Sequence, residues 1–104
     1  MNLFENQPEK PMPEELMEVL EDRDNVRIER IISCGHQSPE GFWYDQTEDE
    51  WVLIVQGEAV LELADGEKKR LGAGDYFMLP AHCKHRVAWT STQPSCIWLC
   101  IFSR

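Results

Sequence analysis

Apolar and polar positions follow two different periods along the chain. Near the N-terminus, Pro13 precedes two acidic residues, and apolar residues then stand at the i, i+3, i+4 spacing of a helix face, at Leu16, Val19 and Leu20. This spacing predicts one short helix over residues 13–22. The twelve residues before it show no clear period, which indicates an irregular arm.

After the charged turn that ends at residue 25, short apolar or alternating runs are separated by turn residues. The pattern predicts an all-β body with eight strands, and Gly57-Glu58 and Asp65-Gly66 have the composition of two-residue hairpin loops. The third, fourth and fifth strands should therefore form a meander. Eight antiparallel strands of this length fit a jelly roll. The predicted strands are 26–32, 42–46, 51–56, 59–64, 67–71, 75–79, 85–90 and 96–102.

Length and charge limit the kind of protein. A chain of 104 residues suits one domain, here an N-terminal arm and short helix over residues 1–25 and a β-barrel domain over residues 26–104. The 19 acidic residues outnumber the 10 basic ones, for a formal charge of −9. Because affinity for nucleic acid depends on Lys and Arg contacts with phosphates, nucleic acid is not expected as a partner.

A membrane-spanning segment and disulfide bonds are not expected either. The longest apolar stretches, 51–55 and 96–102, fall far short of the roughly 20 residues that span a bilayer. The N-terminal residues lack the basic and apolar regions of a secretory signal, so a cytoplasmic location is expected by default. The four cysteines include no C-x-x-C pair, which favours small buried apolar residues over disulfides or a zinc site.

Two spaced motifs resemble those of the cupins. Glu50 precedes Gly57 by seven positions, as in the E-x6-G half of the first cupin motif, and Gly74, Pro80 and His85 match the second motif. The resemblance covers roughly residues 26–102. Within the cupins the chain is similar to a subgroup of small bacterial proteins that carry the run Ser-Pro-x-Gly-x-Trp-Tyr-Asp-Gln and, later, Pro-Ala-His-x-x-His-Arg-Val. The resemblance implies an RmlC-like double-stranded β-helix with a divalent metal ion inside the barrel.

The first motif departs from the cupin pattern, because both of its histidines are absent. Depending on the spacing to the glutamate, their positions fall on Trp43 and Asp45 or on Tyr44 and Gln46. Asp45 is the better metal ligand, since carboxylates bind divalent first-row metals well, whereas Trp does not bind them and Gln binds them weakly. In the second motif His82 replaces a glycine and offers a further nitrogen donor.

Strand geometry allows a separate prediction about Glu50 and His85. Side chains alternate along a strand, so Glu50 shares a face with Val52 and Ile54, whose apolar character marks the interior. His85 shares a face with Val87. A buried carboxylate is costly without a partner, so Glu50 and His85 should converge in the lumen of the barrel.

The resemblance implies that Asp45, Glu50, His85 and His82 hold iron, manganese, nickel or zinc, with His82 or Tyr44 moving protons. The expected function is oxygenase, isomerase or lyase chemistry on a small polar molecule. The alternative is a cupin that binds or senses a small ligand without turnover, with or without metal. A homodimer is also expected, through residues 1–12 and the strand 26–32.

Overall fold

The computed structural model describes residues 1–10 and 12–104, and it confirms an all-β jelly roll of eight strands in two sheets. The larger sheet has the order β1-β2-β8-β3-β6 and the smaller one β5-β4-β7, with antiparallel pairs throughout. Within the described residues, no helix has the length and apolar character that a membrane crossing requires. The strands are β1 Leu16–Asp22, β2 Val26–Ser33, β3 Asp49–Gln56, β4 Glu58–Leu63, β5 Lys68–Gly72, β6 Tyr76–Leu79, β7 His85–Thr90 and β8 Cys96–Ser103.

The predicted helix over residues 13–22 is wrong, because most of that segment is strand β1 at the edge of the larger sheet. A register irregularity between Val19 and Glu21 interrupts the alternation of side chains. The apolar residues thereby acquire a spacing that resembles a helix face. Backbone hydrogen bonds to β2 outweigh a weak local preference for helix. The predicted boundary at residue 25 consequently falls inside the sheet, between β1 and β2.

One of the two predicted hairpins is present and the other is not. The loop at Asp65 and Gly66 connects the paired strands β4 and β5, as predicted. At Gly57, however, the chain passes from the larger sheet to the smaller one, because β3 pairs with β6 and β8 whereas β4 pairs with β5 and β7. The predicted three-strand meander is therefore wrong. Gly57 has φ +79°, and a Cβ there would lie 2.6 Å from both Ser91 Oγ and the Ser95 carbonyl oxygen.

The predicted strand 42–46 is reduced to one β-bridge. Tyr44 N–H donates to the His85 carbonyl at 2.7 Å, and His85 N–H donates to the Tyr44 carbonyl at 3.2 Å. The segment thus crosses the beginning of β7, and this crossing places the Tyr44 side chain next to His85.

The core lies between the two sheets. The larger sheet contributes Val52, Ile54 and Trp98, and the smaller one contributes Leu61 and Leu71, all of them buried. The prediction for the cysteines is confirmed for two of them, since Cys96 and Cys100 are buried in this core, and all four cysteines are free. Burial raises the pKa of the Cys96 thiol to about 12, so this thiol stays protonated and unreactive.

The N-terminal arm packs against the outer face of the larger sheet. The Arg30 guanidinium donates to the carbonyl oxygens of Leu3, at 3.1 Å, and Glu5, at 2.6 Å. Strand β2 lies between β1 and β8, so it has no free edge for another chain to pair with. The homodimer, with its contact through residues 1–12 and 26–32, stays a prediction.

Candidate functional site

Glu50 and His85 face each other inside the barrel, at the beginning of β3 and of β7. The two strands belong to different sheets that face each other across the core. Side chains alternate between the two faces of each strand, and Glu50 and His85 both lie on the inner face. Glu50 is 7% exposed and His85 is 4% exposed. Glu50 Oε1 lies 3.6 Å from His85 Nε2, an ion-pair distance slightly longer than an ordinary hydrogen bond. The predicted convergence of these two residues is confirmed.

The orientation of the imidazole follows from its other contacts. Nδ1 of His85 lies 2.9 Å from the Cys83 carbonyl oxygen, which only accepts, so Nδ1 carries a hydrogen and Nε2 faces Glu50. The Tyr44 ring stacks on the imidazole, with the centroids 5.2 Å apart and the planes 20° apart. Cys100 also lines the cavity, where burial and the nearby Glu50 carboxylate raise the pKa of its thiol. The imidazole of His85 is therefore held from two sides besides its contact with Glu50.

Burial and charge set the protonation of the site. Burial by itself lowers the pKa of His85, but the interaction with Glu50 and the hydrogen bond to Cys83 outweigh it, and the pKa ends above 6.5. Burial raises the pKa of Tyr44, and the nearby Glu15 and Glu50 carboxylates raise it further. At neutral pH the Tyr44 phenol is therefore a hydrogen-bond donor, and the Glu50 carboxylate favours the imidazolium form of His85.

The raised pKa of His85 makes one contribution to stability depend on pH. A group whose pKa is higher in the folded state stabilises fully below its unfolded pKa, near 6.5, and loses this contribution as the pH rises through the folded value. The free energy of unfolding of the native chain minus that of His85→Gln should therefore decrease from about pH 6 to about pH 9. Urea unfolding of both proteins, followed by tryptophan fluorescence, measures this difference in the free energy of unfolding. A difference that stays constant or grows with pH would contradict this assignment.

The ion pair lines a cavity of about 60 Å³, which is room for roughly four water molecules. The other walls are mostly apolar and include Val52, Leu61 and Leu79. The cavity adjoins an outer pocket of about 460 Å³, and the residues that line both spaces are Glu15, Met17, Tyr44 and Val87. A small molecule can thus approach Glu50 and His85 past Tyr44.

Asp45 and His82 lie elsewhere. Asp45 Oδ1 and His82 Nδ1 are 2.8 Å apart in an exposed pair, and neither residue lines the cavity. Tyr44 and Gln46 line the cavity instead. These are the residues at the two histidine positions of the first cupin motif when the alternative spacing to Glu50 is used. His82 has φ +62° at the position where the cupin motif has glycine. A histidine there accepts backbone strain that glycine avoids.

Glu15 is a residue of the site that the sequence did not reveal. Ser33 Oγ donates to Glu15 Oε2 at 3.0 Å, and the Trp98 indole N–H donates to the same hydroxyl at 3.2 Å. Glu15 comes directly before β1, and pairing of β1 with β2 brings it to the mouth of the cavity. In the sequence it reads as an acid in the first turn of a helix, so no local signal identified it.

The divalent metal ion that the resemblance implies needs several nitrogen, oxygen or sulfur donors around one point. Among residues 1–10 and 12–104, no group of three or more His, Cys, Asp or Glu side chains is placed to hold one metal ion. The barrel brings together the carboxylate of Glu50 and the imidazole of His85, whereas zinc and iron(II) sites commonly use three or four protein ligands. As arranged, these residues do not fit the metal. The metal site of Asp45, Glu50, His85 and His82 stays a prediction, and no step below depends on it.

Comparisons with known proteins agree with the fold. The family model described as cupin domain matches residues 34–102. A putative mannose-6-phosphate isomerase from Ralstonia eutropha is 43% identical, covers 99% of this chain and 95% of its own, and has a TM-score of 0.93. A cupin superfamily protein from Desulfitobacterium hafniense is 27% identical over 92% of this chain and 83% of its own, with a TM-score of 0.77. An RmlC-like cupin from Shewanella frigidimarina is 25% identical over 84% and 73%, with a TM-score of 0.70. No curated protein matches the chain.

Proposed function

Because the chain belongs to the cupin family, we propose that it binds a small uncharged carbonyl compound inside its barrel and exchanges protons with it, as an isomerase or lyase does. The observation that carries this proposal is the buried pair of Glu50 and His85 on the wall of a mostly apolar cavity. Charged groups are rarely kept in such surroundings without a purpose in binding or chemistry.

The two groups have complementary chemistry. A carbonyl oxygen near His85 Nε2 can accept a hydrogen bond or a proton from the imidazolium. The Glu50 carboxylate can remove a proton from the adjacent carbon, and the electron pair of that C–H bond moves toward the carbonyl. The product is an enol, with the proton from carbon on Glu50 and the proton from nitrogen on oxygen. Tyr44, protonated and stacked on His85, donates a further hydrogen bond to the ligand.

The charge of the cavity lining defines the ligand class. Among the described residues, no Lys or Arg lines the inner cavity or the outer pocket, whereas Glu14, Glu15 and Glu50 do. A phosphate group would lose water there and face three carboxylates without a Lys or Arg to pair with. The name of the Ralstonia eutropha protein mentions a sugar phosphate, but these acidic and apolar walls favour an uncharged compound for this chain.

Isotope exchange tests the proposal directly. We expect the protein to replace the carbon-bound protons of dihydroxyacetone with deuterium in D₂O containing EDTA, at least about 100-fold faster than buffer. Dihydroxyacetone phosphate should exchange more slowly than dihydroxyacetone. Glu50→Gln should bring the rate close to that of buffer, whereas Glu58→Gln on the surface should leave it unchanged. Proton NMR follows the loss of signal.

Several results would contradict the proposal. One is the absence of any acceleration, and another is exchange that persists in Glu50→Gln. If dihydroxyacetone shifts the His85 ring resonances without exchanging, the barrel binds ligands without turnover. Exchange that EDTA abolishes would support the metal site predicted from the resemblance instead.

A further inference from the structure

The mouth of the cavity combines apolar side chains with one carboxylate. Of the described residues, four line both the inner cavity and the outer pocket, and Glu15 is the charged one among them. The inner cavity has room for about four non-hydrogen atoms, the equivalent of four water molecules. A larger ligand that reaches Glu50 and His85 must therefore extend through the mouth and pass Glu15.

Glu15 is held in place by a chain of hydrogen bonds that begins in the core. The Trp98 indole N–H can only donate, so Ser33 Oγ accepts from it, at 3.2 Å. The Ser33 hydroxyl in turn donates its own hydrogen to Glu15 Oε2 at 3.0 Å. Trp98 is 4% exposed and Ser33 is 0% exposed, so both belong to the packed interior of the barrel. The Glu15 carboxylate therefore has a defined position at the mouth.

Ser33 satisfies only part of the Glu15 carboxylate. An ionised carboxylate offers about four acceptor sites, and the Ser33 hydroxyl occupies one of them. Because Glu15 is half-buried and lines both spaces, a ligand in the mouth would displace water from the remaining sites. Removing that water costs free energy unless the ligand itself donates a hydrogen bond to the carboxylate. The carboxylate thus favours ligands that carry a donor at this point.

The charge of Glu15 acts on groups inside the barrel. Burial raises the pKa of the Tyr44 phenol and of the Cys96 thiol, and the Glu15 carboxylate raises both pKa values further. A negative charge that reaches both groups also repels an anionic group on a ligand. Glu15 therefore disfavours anionic ligands as well as ligands without a donor.

We propose that Glu15 is a specificity-determining residue, which accepts a hydrogen bond from a hydroxyl group of the ligand whose carbonyl group lies by Glu50 and His85. This inference rests on the proposed function and adds the class of ligand to it, an uncharged hydroxycarbonyl compound whose hydroxyl end extends toward the outer pocket. Ser33 and Trp98 act through Glu15 and are positioning residues. Glu15 acts in binding and not in the transfer of protons.

A purely structural role for Glu15 predicts a different outcome. In that case the carboxylate would serve only to accept the hydrogen bond from Ser33, and its replacement would change the affinity for every ligand to the same extent. A role in specificity instead changes the affinity for ligands with the hydroxyl group relative to those without it. The ratio of two dissociation constants therefore distinguishes the two roles.

Two uncharged ketones of equal chain length provide this ratio. Erythrulose has four carbons and hydroxyl groups on three of them, whereas 1-hydroxy-2-butanone lacks the hydroxyl groups on carbons 3 and 4. We expect the native chain to bind erythrulose at least about 10-fold more tightly, because its distal hydroxyl groups can donate to Glu15. Titrations in the presence of EDTA, followed by NMR of the His85 ring resonances, measure both dissociation constants.

Glu15→Gln removes the charge and keeps the shape of the side chain. It should weaken the binding of erythrulose at least about 5-fold and change that of 1-hydroxy-2-butanone less than about 2-fold. Ser33→Ala removes the hydroxyl that positions Glu15 and should change the ratio in the same direction. It replaces Glu15→Gln in the test if circular dichroism shows that Glu15→Gln does not fold. The matched control is Glu14→Gln, which should leave the ratio unchanged because Glu14 is exposed and lines the outer pocket but not the inner cavity.

The inference and the proposed function can fail separately, because binding and proton exchange are measured in different experiments. Equal affinities of the native chain for the two ketones would overturn the inference, and so would a ratio that changes as much in Glu14→Gln as in Glu15→Gln. Failure of both ketones to bind would overturn both proposals. If erythrulose binds with the expected preference but does not exchange its protons, the role of Glu15 is supported and turnover is contradicted.

Discussion

Replacing His85 with leucine should lower the free energy of unfolding by about 3 kcal/mol. The substitution leaves the Glu50 carboxylate 7% exposed and without its cationic partner. A buried carboxylate must then remain charged in apolar surroundings or take up a proton, and both are unfavourable. Urea unfolding at about pH 6, where His85 is largely imidazolium, measures the loss.

The double variant Glu50→Met/His85→Leu separates this explanation from a loss of packing. Removing both charges should cost less than His85→Leu alone, because no unpaired group remains. As a surface control, Arg70→Leu breaks an exposed ion pair with Glu58 and should change stability by less than about 1 kcal/mol. If the loss in the double variant equalled the sum of the losses in Glu50→Met and His85→Leu, Glu50 and His85 would not act as a pair.

Replacing Gly57 with alanine should lower the free energy of unfolding by about 3 kcal/mol. The new Cβ would lie 2.6 Å from Ser91 Oγ and from the carbonyl oxygen of Ser95. The second contact is with backbone, so a side-chain rotation cannot relieve it. At φ +79° the alanine would also occupy the left-handed region that disfavours L side chains. Thermal and urea unfolding measure the loss.

Gly66→Ala is the matched control for this prediction. Gly66 has φ +90°, but a Cβ there meets nothing within 4 Å. The substitution should therefore cost only the conformational strain, about 1 kcal/mol. Equal losses at Gly57 and Gly66 would show that the crossing between the sheets tolerates a side chain, which would contradict the close approach at Gly57.

The strand body could be predicted because most of its determinants are local. Alternation from Glu50 to Ile54 placed one face of β3 in the core, and Asp65-Gly66 marked a true hairpin. The strand β1 could not be predicted, because its hydrogen bonds come from β2 and the irregularity near Leu20 hides its period. Gly57 was misread for a related reason, since the same residue type suits a hairpin and a passage between two sheets.

The site was predictable in part. Glu50 and His85 were found because each lies in a regular strand, where alternation decides which way a side chain points. Asp45 and Tyr44 lie in a segment that forms one β-bridge and no regular strand, so alternation of side chains could not decide which of them points inward. The two possible motif spacings differ by one residue. A shift of one residue reverses which side chain faces inward. The structure places Tyr44 against His85 and Asp45 in the exposed pair with His82.

The sequence by itself determined the all-β class, the resemblance to the cupins and the meeting of Glu50 with His85. The period of each strand and the spacing of each motif can be read directly along the chain. Only the tertiary structure decided which strands pair and that Glu15 reaches the mouth of the cavity. These features depend on backbone hydrogen bonds and contacts between residues far apart in the chain, and no local pattern encodes them.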